Sequence, residues 1–167
     1  MQTHTAELVA DFLSPRELTL FNARRKAFAV AKRHPESVVL AADTIVALDT
    51  KIFGKPKNLE EARSFLEQLS GRTHVVVTGV AIVLHAESRV TYQVAHSEVT
   101  FRELTASDLE EYLKRIDPLD KAGAYAAQAD SSIIENITGS FSNVVGLPME
   151  MVTESLSRFE ILPIKRM

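Results

Sequence analysis

The chain of 167 residues contains no cysteine, which excludes a disulfide framework, a thiolate metal centre and a cysteine nucleophile. Long hydrophobic runs are missing too. No stretch approaches the roughly 20 apolar residues of a membrane-spanning helix, and "MQTHTAELVADFL" has no basic segment leading into an apolar one, as a secretory signal would. Charge of one sign is scarce: 19 Lys and Arg stand against 22 Asp and Glu, net −3. That balance gives no electrostatic case for a nucleic acid polymer as partner. A cytoplasmic protein with neither membrane nor nucleic acid partner is the expectation. The patterns G-x-x-x-x-G-K-S/T, G-x-G-x-x-G and G-x-S-x-G are also absent, so P-loop or Rossmann handling of phosphate is not supported. The five histidines, His4, His34, His74, His85 and His96, show no H-x-x-x-H or H-E-x-x-H spacing and read as structural or surface residues.

What is present suits a globular chain with a real core. Hydrophobic residues make up 46% and charged residues 25%, consistent with one domain, although an elongated two-lobed body is also compatible. In "SPRELTLFNARRKAFAVAKRHP", Ser14, Pro15 and Glu17 form a capping box. Leu20, Ala23, Ala27 and Val30 then recur at helical spacing. "SVVLAADTIVALD" is a nearly continuous β-branched run, as in a strand covered on both faces. "NLEEARSFLEQLSG" predicts a helix capped by Asn58 and stopped by Gly71. "THVVVTGVAIVLH" and "RVTYQVAHSEVTFREL" predict an antiparallel pair, "TASDLEEYLKRI" a helix, "SSIIENITG" a short strand and "LPMEMVTESLSRF" a closing helix. The sum is an α/β fold: a mixed, elongated central sheet flanked by helices.

The polar residues that break these patterns are the functional candidates. An ionised Asp43 inside an apolar strand is costly unless partnered, so Asp43 and Thr44 either mark the strand's functional rim or Asp43 caps a turn or forms an internal ion pair. In "GKP", Gly54 permits close approach and Lys55 supplies a mobile point charge, although a loop lysine is commonly only solvated. Arg72 follows a helix stop, where its fork suits phosphate or carboxylate, or equally the last helix carbonyls. Asp120 and Lys121 lie in "DPLDKAGAYAAQAD", a long polar loop between ordered neighbours. They read either as a surface ion pair or as a metal ligand beside a phosphate ligand.

Taken in order, "AADTIVALD", "FGKPKNLEEARSFLEQLSGRTHVVVTGVAIV", "EVTFREL", "DPLDKAGAYAAQ" and "ITGSFSNVVGLP" resemble the Maf family of nucleotide pyrophosphatases. The resemblance implies a Maf/ITPase-like fold and a single domain over residues 1–167. It implies an enzyme that hydrolyses a nucleoside triphosphate between the α and β phosphates, with a divalent cation, Mg²⁺ or Mn²⁺. By that resemblance Asp43 is the proton acceptor that activates water, and Thr44 and Gln128 bear on base selectivity. Lys26, Lys55 and Lys121 match the family's lysines, with Arg72 a further phosphate ligand and Asp43 and Asp120 the metal candidates. Thr44 looks like the subfamily acting on dTTP and UTP; a homodimer is expected.

The chain departs from the family at its beginning. Members open with a strand and an S-x-S-P-R-R loop for the phosphates, whereas "LSPREL" has Glu17 in place of the second Arg and is explained by the capping box. The expectation is an N-terminally short member. Two alternatives follow: a catalytically weak nucleotide-binding protein, or a pyrophosphatase acting on 7-methyl-GTP.

Overall fold

The computed structural model describes residues 13–164. The expected strand-free stretch before Ser14, and His4, lie outside the described residues. Ser14 caps α1 (Pro15–Ala31), accepting from the Glu17 amide while the Glu17 carboxylate accepts from the Ser14 amide. Then follow β1 (Val38–Leu48), β2 (Lys51–Phe53), α2 (Leu59–Leu69), β3 (Thr73–Leu84), β4 (Arg89–Phe101), α3 (Ala106–Arg115), β5 (Ile134–Thr138), α4 (Phe141–Val145) and α5 (Met149–Ser157). The five strands form one antiparallel sheet in the order β2-β1-β3-β4-β5, flanked by helices. Among the described residues no helix is long and apolar enough to cross a membrane.

Three elements escape the sequence reading, the first a single 3-10 turn at Ala122–Ala124 inside the polar loop. β2 is a three-residue return strand, pairing Leu48 with Lys51 and Val46 with Phe53. Its tight turn depends on Asp49 at φ 54, a left-handed conformation that Asp tolerates better than most residues. α4 spans only five residues, too short to show a helical period.

The chain divides into two compact units, one comprising residues up to Asp43, Thr78–Ala95 and the chain from Gly146, the other Thr44–Val77 and His96–Val145. In the first unit the strand pleat sorts two apolar layers, because successive side chains alternate between faces. Val39, Ala41, Ala81 and Val83 pack with Ala23, Ala27 and Ala31 of α1. Val38, Leu40, Ala42, Val80, Ile82 and Leu84 pack instead with Val152 and Leu156 of α5 and with Phe159. β1 is thus covered on both faces, as its unbroken apolar run predicts. The second unit has its own core of Val46, Leu48, Phe53, Leu66, Leu69, Phe101, Tyr112 and Tyr125.

Candidate active site

Asp43 falls on the same side of the pleat as Val39 and Ala41, so it faces α1. Its carboxylate, 5% exposed, is met by two residues one helical turn apart on that helix. Lys26 Nζ lies 2.6 Å from Oδ1 and Asn22 Nδ2 donates to Oδ2 at 3.2 Å. The i, i+4 spacing puts both groups on one stripe, beside the fully buried Ala23 and Ala27 that seat the helix. Gly79 sets how close the helix comes. A Cβ on Gly79 would stand 2.5 Å from the Thr19 carbonyl carbon, so only glycine allows the first turns of α1 to lie against β3. Asp43 is therefore both an internal ion pair and a fixed, charged group at the end of the first unit's segment of β1.

The second unit begins at Thr44. The pleat turns Thr44 away from the Asp43 face and onto the face of Val46 and Leu48. The β1/β2 register carries the chain after Phe53 back toward Thr44, which places Lys55 at that end of the strand. There Gly123 donates its amide to the Gly54 carbonyl at 3.1 Å and covers Val46 at φ 71, with 2.9 Å between a hypothetical Cβ and a Val46 methyl. Two loops are pinned together in this way. Lys55 Nζ reaches Asp120 Oδ1 at 2.5 Å and Lys121 Nζ lies 3.7 Å from Oδ2. The Lys55 ammonium holds the Asp120 carboxyl below its usual range. All three side chains are well exposed.

Gln128 sits at the exposed tip of a turn whose preceding residue, Ala127, is in the core. Ala129 and Asp130 both donate their amides to the Ala126 carbonyl at 3.0 Å. Arg72 is not brought to this group. It pairs with Asp49 at 2.7 Å, five residues and about 17 Å of strand from Thr44. Sequence reasoning missed Asn22, whose signal was its i, i+4 spacing to Lys26 on a helix facing a buried carboxylate. It also treated His74 as unremarkable, whereas His74 is 1% exposed with Nε2 3.0 Å from the Tyr125 hydroxyl.

Among the described residues no three His, Asp or Glu side chains gather as a metal cage. Asp43 and Asp120 are single carboxylates, each beside a lysine. Mg²⁺ commonly keeps several waters and takes one or two carboxylates plus substrate phosphates, so this donor set fits a cation that arrives with a phosphate ligand.

The chain belongs to the Maf-like protein family, whose sequence pattern matches residues 2–159. It is 42% identical over 155 residues to a protein from Bacillus cytotoxicus named dTTP/UTP pyrophosphatase, covering 92% of this chain and 80% of that one. A protein of the same name from Bacillus cereus strain B4264 is 42% identical over 156 residues, covering 93% and 81%. One from Bacillus anthracis is 41% identical over 156 residues with the same coverage.

Proposed function

We propose that the protein is a cytoplasmic nucleoside triphosphate pyrophosphatase that hydrolyses dTTP and UTP to the monophosphate and pyrophosphate. The observation that carries the reading is Asp43, an almost fully buried carboxylate held between Lys26 and Asn22, in a family whose relatives bear that activity in their names. In this reading Asp43 accepts a proton from water as the water oxygen bonds to the α-phosphorus. The α–β bridging bond breaks and its electron pair leaves with pyrophosphate. Lys26 and Asn22 hold the carboxylate in place, and Lys55 and Lys121 offset the charge of the phosphates. Asp43 or Asp120 would hold a divalent cation arriving with the nucleotide, which would supply positive charge against the phosphates. Thr44 and Gln128 meet the base, because an amide offers both a donor and an acceptor to a pyrimidine edge. Arg72 is left out of the phosphate set because it lies beside Asp49, at the other end of β1 from Thr44. A homodimer is the expected assembly.

The test is pyrophosphate release from dTTP, UTP and 7-methyl-GTP with Mg²⁺, using Asp43→Asn as control. Turnover of dTTP and UTP that falls by roughly 10²–10⁴ in Asp43→Asn is expected for loss of a general base. Activity retained in that variant overturns the assignment, and nucleotide binding without turnover marks a binding protein instead.

A further inference from the structure

Tyr112 is fully buried on α3, and its hydroxyl makes two bonds to one short stretch of chain. The Ala126 amide donates to the Tyr112 oxygen at 3.1 Å, and the Tyr112 hydroxyl donates to the Asp130 carbonyl at 3.3 Å. These are the two ends of the turn that displays Gln128. The Asp130 side chain is fixed as well, accepting from Arg115 Nε at 2.7 Å and from the Ser132 amide at 2.8 Å. One phenol thus closes the turn from inside, with Ala127 packed in the core and Gln128 left outside.

This matters because a Gln amide is ambiguous. One orientation serves the oxo group and N–H of uracil, and the amide turned over serves the amino group and bare nitrogen of cytosine. Preference for uracil requires the backbone beneath the amide to hold still, so that one orientation alone is productive. We propose that the Tyr112 hydroxyl is a positioning group for base selection, holding the Gln128 turn in the geometry that favours a 4-oxo pyrimidine. The inference rests on the base-contacting role given to Gln128 above.

The experiment compares kcat/KM for UTP with that for CTP, which differ only at that edge of the ring, in the parent protein, Tyr112→Phe and Gln128→Ala. Any loss of folded protein cancels in the ratio, so a merely structural effect does not move it. The UTP:CTP ratio is expected to fall roughly three- to tenfold in Tyr112→Phe, the scale of one misplaced hydrogen bond, and to fall in Gln128→Ala as well. A ratio that falls only in Gln128→Ala overturns the role of Tyr112 and leaves the reading of Gln128 standing. A ratio that falls only in Tyr112→Phe shows that the effect does not pass through Gln128 and overturns the proposal. If neither variant moves it, the reading of Gln128 fails and takes the proposal with it. Should Tyr112→Phe not fold at room temperature, the ratio is read at a lower temperature where it does, or in Tyr112→Met, which likewise lacks the hydroxyl. An unchanged ratio in either overturns the proposal.

Discussion

Two Lys–Asp pairs of nearly equal length lie in two different settings. Lys26 and Asp43 are 2.6 Å apart with the carboxylate 5% exposed, and Lys55 and Asp120 are 2.5 Å apart with the carboxylate 63% exposed. Distance does not distinguish them, but solvent does. Removing a partner from a buried pair strands a charge in a poor solvent, whereas water takes over for a surface pair almost without loss. The first pair is suited to hold one carboxylate in one place. The second is suited to let its lysines go when a more highly charged ligand arrives.

The largest expected effect comes from breaking the buried pair. Lys26→Met is expected to destabilise the fold by roughly 3 kcal/mol and to abolish turnover with it, as read by denaturant unfolding and pyrophosphate release. The double variant Lys26→Met with Asp43→Leu is expected to recover much of that stability while remaining inactive, since apolar side chains of similar size replace a buried pair at little cost. A single variant as stable as the parent erases the contrast between the two pairs.

His74 shows a third way to bury a titratable group, which is to keep it neutral. Its ring packs edge-on against Phe101 and Tyr125, and Nδ1 has no hydrogen-bond partner among the described residues. Burial pushes its pKa down to about 4 from an ordinary 6.5. Above pH 6.5 the ring is neutral in both folded and unfolded chains, and its contribution to stability is complete. Between about 6.5 and 4 only the unfolded chain takes the proton, so stability falls as pH falls, by roughly 3 kcal/mol in all, and then levels off. Unfolding measured across that range in the parent and in His74→Phe checks this, the variant losing that part of the acid sensitivity.

Much of this was legible in the sequence, and the rest was hidden for physical reasons. The capping box at Ser14 and the helix stop at Gly71, with φ 66, follow from local chemistry that needs no partner, and the unbroken apolar run of β1 announces its two covered faces. Lys55, Asp120 and Lys121 could be picked out as polar residues in loops, but not their meeting. That depends on a Gly123 amide reaching Gly54 across a gap of nearly 70 residues of chain. Asn22 and Tyr112 read from sequence as ordinary members of helices. Their importance comes from what the neighbouring strand or loop presents to them, which no period encodes. Arg72 shows the converse: a fork that suits phosphate or carboxylate alike is met in the structure by the carboxylate of Asp49.

The smallest effect on stability, and the one that isolates function, comes from the exposed pair. Lys55→Met is expected to change unfolding free energy by less than about 0.5 kcal/mol, because a surface ion pair is worth little. Its effect belongs instead to substrate binding. With one cation fewer to meet the triphosphate, KM for UTP is expected to rise roughly tenfold and its dependence on salt to weaken, because an exposed charge acts on the ligand through screened solvent. A stability loss matching that of Lys26→Met makes the two pairs equivalent and removes the reason for treating Asp120 as a releasable partner. A rise in KM with unchanged stability assigns Lys55 to the ligand, with Asp120 holding its place until the phosphates arrive.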